Sequence, residues 1–312
     1  MGRTKPHKTM LQPTKLSPHG PTFSRLVWGV MTWGVWGKNY STQDMLRLIE
    51  YGVDHGITTF DHADIYGHYT TEAEFGQAIK GRSGLRQKMQ LVTKCGIKLV
   101  TPNRPQYTFH GYDTSREHIR WSVEQSLKNL HTDYLDLLLI HRPSPLMHPD
   151  DIAEEMGQLM KEGKVRHFGV SNFTPSQFQM LRSRIPLVTN QVEASLLHLN
   201  PFLDGTLDQL LEHKIQPMVW SPLGGGKMFT DEEDERVLRI RKVAAELAET
   251  RAGATIDQIL LAWLLMHPSG ILPVLGTGRT ERMESAIKAL RIQLTRDEWF
   301  MLWTASMGEE VP

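Results

Sequence analysis

Short apolar runs and amphipathic stretches alternate from one end of the chain to the other. Leu26–Val30, Ile57–Phe60, Met89–Thr93, Tyr134–Ile140, His167–Val170, Leu187–Asn190, Pro217–Trp220 and Ile271–Leu275 are short and mostly apolar, the pattern of buried strands. Between them, apolar residues recur every three or four positions. Ser41-Thr42-Gln43-Asp44 opens a helix in the Ser/Thr-x-x-Asp manner, and Met45, Leu48, Ile49 and Val53 give that helix one apolar face. Further helices are predicted over 72–79, 115–130, 150–162, 177–184, 207–213, 235–250, 255–266, 282–290 and 296–306. Residues 96–113 hold two prolines and no period, and read as a long loop.

Strands alternating with helices imply a parallel sheet with right-handed crossovers. At 312 residues, eight such units close into a (β/α)8 TIM barrel with long active-site loops and a C-terminal extra helix. An open doubly wound sheet would want a G-x-G-x-x-G turn after an early strand, and the sequence contains none. Residues 24–312 are expected to form a single barrel domain. Residues 1–23 carry Pro6, Pro13, Pro18 and Pro21, and basic residues but no acidic one precede Asp44. They read as a partly extended arm, or a hairpin closing the barrel floor. The arm lacks the apolar core of a signal peptide, and its prolines disfavour a transit helix.

Composition narrows the function. Hydrophobic residues at 40% and charged residues at 22% describe a soluble globular protein with an ample core. Lys+Arg and Asp+Glu both number 35, so no global field favours nucleic acid. No apolar run approaches the length of a membrane span. The single cysteine, Cys95, excludes an internal disulfide and fits a reducing, cytoplasmic location. A monomer or weak homo-oligomer is expected.

Candidate chemistry lies where strands end, because the C-terminal rim of a parallel barrel is its functional face. The second strand ends at Asp61, and Tyr66 follows one loop-turn later, before Gly67. The third strand ends at Lys94 and the fourth at His141. Taken singly, Lys94 could be a solvated lysine, His141 a satisfied near-core histidine, Asp61 a cap and Tyr66 a packing residue. Four such groups arriving at one rim point instead to proton donation to a carbonyl. A phenol of pKa about 10 needs help near neutrality, and an adjacent ammonium lowers that value. Asp61 would hold Lys94 charged, and a neutral His141 would orient the carbonyl. The later strand ends suit a nucleotide. Ser171, Asn172 and Gln191 offer groups to pair with a carboxamide, and Trp220 offers a flat face. Gly224-Gly225-Gly226-Lys227 suits a pyrophosphate. Gly276-Thr277-Gly278-Arg279, with Arg282, suits a phosphate at a helix N-terminus.

The motifs Phe60-Asp61-His62-Ala63-Asp64-Ile65-Tyr66-Gly67, Val92-Thr93-Lys94, Leu138-Leu139-Ile140-His141, Gly163 to Phe173 and Trp220-Ser221-Pro222-Leu223-Gly224 resemble those of an aldo-keto reductase. The match runs over about residues 24–306. Within the family it is most similar to the YdhF-like bacterial oxidoreductases, through Asp61 to Tyr66, Ile140-His141-Arg142-Pro143, the three glycines and the closing Val311-Pro312. The resemblance implies NADPH-dependent reduction of aldehydes or ketones. It implies Tyr66 as general acid, Lys94 and Asp61 tuning it, and His141 orienting the substrate. It also implies that Thr32, Trp33, Ser171, Asn172, Gln191, Trp220, Ser221, Leu223, Gly225, Lys227, Gly276, Thr277, Gly278, Arg279 and Arg282 hold NADP. Trp33 would in addition shape the substrate pocket. Ser285-Ala286 stands where many members carry Glu-Asn, which bears on the adenine side of the cofactor.

Two other functions compete. A metal-dependent hydrolase could draw on Asp61, His62, Asp64, His68, Lys94 and His141, although no His-x-His ends the first strand. Metal analysis of the purified protein separates that reading, and no metal is expected. A cofactor-binding regulatory barrel with little turnover is the other, since fold and site do not establish rate. Steady-state turnover on carbonyl compounds separates it.

Overall fold

The computed structural model describes residues 11–231, 233–251 and 253–311. Eight parallel strands close into a barrel: β1 (Val27–Gly29), β2 (Thr59–Asp61), β3 (Gln90–Cys95), β4 (Leu137–Ile140), β5 (Phe168–Ser171), β6 (Asn190–Glu193), β7 (Met218–Trp220) and β8 (Leu272–Leu275). Each strand lies beside its sequence neighbours, and β8 pairs with β1. Helices Thr42–Asp54, Thr71–Ile79, Arg116–Asn129, Pro149–Lys161, Pro175–Arg182, Thr206–Glu212, Ile256–Leu265 and Thr280–Ala289 connect and surround them. Ser41 caps the first through the Asp44 amide, and Thr174 caps the helix after β5 in a reciprocal box with Gln177.

Successive side chains of a strand face opposite ways. Val27, Val92, Leu137, Leu139, Met218, Leu272 and Val274 fill the barrel interior. Trp28, Phe60, Leu91, Leu138 and Ile140 face the helices in a second cluster. The same alternation fixes the rim. Asp61 lies two residues beyond inward-facing Thr59, and Lys94 two beyond inward-facing Val92, so both point inward at the C-terminal end.

The opposite end is sealed by Thr14–Lys15 pairing antiparallel with Thr22–Phe23. Leu16 and Phe23 are fully buried in the interior cluster, and the Leu16 carbonyl accepts from the Gln216 amide just ahead of β7. Residues 1–10 of the expected arm, and any targeting segment in them, lie outside the described residues.

Several boundaries differ from expectation; the fourth strand, for example, starts at Leu137 rather than Tyr134. Strand β6 starts at Asn190 rather than Leu187, so Gln191 stands on the strand and not after it. Leu187 and Val188 are buried as a lead-in, and apolar residues mark burial without marking pairing. The expected loop 96–113 contains a small antiparallel pair, Ile97–Lys98 with Gly111–Tyr112, too short to leave a period in sequence. At the C-terminus, helix Arg296–Met307 docks through stacked Trp263 and Trp299 rings, centroids 4.9 Å apart. The two indoles donate to each other's carbonyls at 3.2 and 3.0 Å. No helix of the described residues is long and apolar enough to cross a membrane.

Candidate active site

The ends of β2, β3 and β4 bring four titratable groups together. Lys94 is buried, and an ammonium has three protons to donate. Its Nζ lies 2.7 Å from Asp61 Oδ2, 2.7 Å from the His62 carbonyl and 3.2 Å from the Tyr66 hydroxyl. All three donors are therefore placed. Because Lys94 donates to the phenol oxygen, the phenol hydrogen is left free to point elsewhere.

Electrostatics follow from this packing. Burial opposes the Lys94 charge, yet Asp61 and Tyr66 together raise its pKa above the usual lysine value. Burial also dominates at Tyr66 and holds the phenol above its ordinary value, against the lowering effect of Lys94. Lys94 lowers the phenol pKa, as expected of an adjacent ammonium, but desolvation outweighs the cation. The consequence is a Tyr66 that keeps its proton at neutral pH. His141 is buried, with its pKa held well below the usual histidine range by burial and by the Lys94 and Arg142 charges, so it is neutral. Its ring meets Tyr66 edge-on at 6.2 Å, and buried Nδ1 has no partner among the described residues.

Tyr66 leads a tight left-handed turn. Gly67, His68 and Tyr69 have φ of 60°, 57° and 71°. A Cβ on Gly67 would lie 2.4 Å from Thr71 Oγ1, so glycine is required there. The Thr70 hydroxyl and the Asn103 amide brace the turn through the Gly67 and His68 carbonyls, each at 2.8 Å.

A polar chain extends from this group around the rim. Gln191 Nε2 donates to Asp61 Oδ1 at 2.8 Å, so both carboxylate oxygens of Asp61 are engaged. Ser171 donates to the Gln191 carbonyl at 2.9 Å, Asn172 to the Ser171 hydroxyl at 2.7 Å, and Trp220 to Asn172 Oδ1 at 3.0 Å. Asn172 and Ser221 adopt φ of 59° and 50°, uncommon for residues with a side chain, at the ends of β5 and β7. Ser221 and Leu223 are half-buried, and Gly225 and Lys227 are exposed on the turn that follows. Gly224, Gly225 and Gly226 all have positive φ, and the Gly224 and Gly226 amides donate to the Ser221 and Leu223 carbonyls at 2.8 and 3.2 Å.

The segment Gly276-Thr277-Gly278 is held from the β1 loop. Thr32 donates to the Gly276 carbonyl at 3.3 Å and Tyr40 to that of Gly278 at 2.9 Å. A side chain at Gly276 would meet open space, so this backbone is accessible. Arg279 and Arg282 are exposed at the start of helix Thr280–Ala289, without a carboxylate partner among the described residues. Ser285 is turned onto the preceding helix, donating to Asp257 at 2.6 Å and accepting from Gln258 at 2.9 Å, and Ala286 is buried.

Trp33 departs from the sequence expectation. It is fully buried against Trp28, Phe60 and Phe75, with its indole N–H 3.4 Å from the Thr277 carbonyl. It supports the glycine segment from behind and has no free face for a ligand or substrate. The neighbouring Trp36 stands at the site instead, 6.1 Å from the Tyr66 ring and 5.3 Å from that of His68. Sequence reasoning also passed over Arg142, whose guanidinium lies 5.6 Å over the Trp220 ring. Its place directly after the β4 histidine was the available signal.

Among the described residues, no three His, Cys, Asp or Glu side chains converge as a metal ion would need. His62 illustrates why. It is fully buried against the Phe75 edge at 4.4 Å, and burial takes its pKa down to about 3. Cys95 is buried as well, and burial pushes its thiol well above the usual range. Cys95→Ser is therefore expected to retain activity, and the native thiol to resist a thiol-specific reagent. Rapid labelling of the folded protein, or total loss of activity with folding intact, would revive a chemical role.

Comparison with known proteins places this arrangement. Residues 25–304 match the model of the aldo/keto reductase family. The chain is 47% identical over 305 residues to oxidoreductase YdhF of Escherichia coli (strain K12), covering 97% of this chain and all of that one. It is 42% identical over 290 residues to a 6-dehydroglucose reductase of Agrobacterium fabrum, covering 92% of this chain and 96% of that one. Among solved structures, the thermostable aldo-keto reductase Tm1743, crystallised with the inhibitor epalrestat, superposes with a TM-score of 0.78 at 29% identity. That match covers 94% of this chain and 99% of that one. Its barrel, its matched residues and its relatives agree: the chain belongs to the aldo/keto reductase family, whose members are oxidoreductases acting through nicotinamide cofactors.

Proposed function

We propose that this protein is an NADP(H)-dependent reductase that converts aldehydes and ketones to alcohols, with Tyr66 as the general acid. The observation that carries the reading is the hydrogen-bonding of Lys94. By donating to Asp61, His62 and Tyr66 together, it leaves the Tyr66 proton directed to whatever lies at the rim. Tyr66 would donate that proton to the developing alkoxide, and Lys94 would stabilise the phenolate left behind. Asp61 fixes Lys94, and neutral His141 would hydrogen-bond the carbonyl oxygen and orient it.

The donor set fits the cofactor. The exposed glycines Gly225 and Gly276, and two exposed arginines beside a helix N-terminus, suit a pyrophosphate and a phosphate monoester. Ser171, Asn172 and Gln191 would hold the carboxamide, and Trp220 would pack on its ring, with Thr32, Ser221, Leu223, Gly225 and Lys227 along the same rim. When bound, the reduced nicotinamide supplies the hydride. The 6-dehydroglucose reductase relative supports sugar-derived carbonyls among the substrates to be tried. A carbonyl panel run with NADPH and NADH side by side tests the proposal. Turnover of at least one aldehyde, with NADPH preferred, is expected; no turnover with either cofactor favours a regulatory barrel.

Cofactor choice gives a sharper expectation. NADPH differs from NADH by a 2′-phosphate, and exposed Arg279 and Arg282 would meet it. Replacing both by alanine should weaken NADPH binding at least tenfold more than NADH binding, because a charge-assisted hydrogen bond contributes about 1.5–3 kcal/mol. Dissociation constants for both cofactors at fixed salt check this. If the two constants move together, the phosphate lies elsewhere.

A further inference from the structure

Arg142 follows the histidine at the end of β4 and is half-buried. Its guanidinium lies 5.6 Å from the centroid of the Trp220 ring. Its charge is felt at both Tyr66 and His141, the two groups assigned to the carbonyl. Among the described residues it has no carboxylate within salt-bridge distance, and its side chain makes no hydrogen bond. A guanidinium has five N–H donors in a planar fork. Half-buried Arg182 and Arg241 also lack a hydrogen bond or ion pair among the described residues, whereas more deeply buried Arg86 and half-buried Arg251 are engaged. Arg86 donates to Thr132, Met89, Tyr134 and Asp136, and Arg251 pairs with Glu298 at 2.6 Å.

The charges around Arg142 sharpen the contrast. Asp61 and Lys94 neutralise each other at 2.7 Å. His141 is neutral and Tyr66 keeps its proton. Of the charged groups at the ends of β2, β3 and β4, Arg142 is therefore left without an opposite charge among the described residues. A planar fork of vacant donors, partly withdrawn from water, matches a carboxylate in shape and in charge.

We propose that Arg142 is a specificity-determining residue that binds a carboxylate borne by the carbonyl substrate. The proposal rests on the reductase reading and names the class of substrate that site favours: oxo-acids and carboxy-aldehydes over neutral carbonyls of the same size.

The test uses the full-length protein with saturating NADPH, as wild type, Arg142→Met and Arg142→Lys. Succinic semialdehyde and 4-carboxybenzaldehyde are each compared with their methyl esters, which keep the shape and remove the charge. Wild type should prefer each acid to its ester. Arg142→Met should lose about ten- to a hundredfold in kcat/KM on the acids, mainly through KM, and far less on the esters. Arg142→Lys should recover part of the loss, since it keeps the charge without the fork. Equal losses on acid and ester, or a wild type without acid preference, would overturn the assignment while leaving the reductase reading intact. A wild type inactive on these four compounds and on a wider aldehyde panel would overturn the reductase reading, and the Arg142 assignment with it.

Discussion

Tyr66→Phe should abolish nearly all carbonyl reduction while NADPH still binds. The substitution keeps the ring and its contacts with the Trp36 and His141 rings, at 6.1 and 6.2 Å, so packing is preserved. It removes the hydroxyl that Lys94 approaches at 3.2 Å, and with it the proton donor. General acid catalysis typically contributes about 10²–10⁴-fold, and a loss of that size in kcat is expected. Single-turnover kinetics and a NADPH dissociation constant on the same preparation separate the chemical step from binding. A mutant whose chemical step stays near the wild-type rate would remove Tyr66 from the mechanism.

Lys94→Met should be damaged in two ways at once. Lys94 and Asp61 form an ion pair buried to 1% and 4% side-chain exposure. Taking away one partner leaves the other charge inside the barrel without its counter-ion, which typically destabilises by about 3–5 kcal/mol. Gln191 still donates to Asp61, but one amide does not replace an ammonium. A lower urea midpoint at unchanged slope is the expected stability result. The fraction that folds should show little turnover, since nothing would stabilise the Tyr66 phenolate. Unchanged stability together with intact activity would mean that Lys94 is a bystander.

The cluster at the candidate site was legible because one rule, alternation along a strand, acts on residues that stand at strand ends. Asp61 and Lys94 inherit their direction from Thr59 and Val92, and His141 follows from the apolar run Leu137–Ile140. What escaped the sequence depended on contacts between distant segments. Trp33 reads as a loop aromatic free to face a ligand, but Trp28, Phe60 and Phe75 draw it fully inside. The Gln191 bond to Asp61 joins residues 130 positions apart and has no local signature. The balance between burial and charge at Tyr66 likewise depends on how deeply the whole rim is covered: Lys94 lowers the phenol pKa as its charge predicts, and burial outweighs it. Strand β6 was displaced because Leu187 and Val188 are as apolar as the strand they lead into.

The most direct test of Tyr66-dependent, NADPH-driven carbonyl reduction is isotope transfer from NADPH dideuterated at nicotinamide C4 to a neutral aldehyde such as benzaldehyde, followed by mass spectrometry of the product. The wild-type protein should yield benzyl alcohol with one deuterium on the carbinol carbon, and Tyr66→Phe should yield almost none in the same time. Labelled alcohol formed equally fast by both proteins, or by neither across a panel of aldehydes, would contradict the assignment.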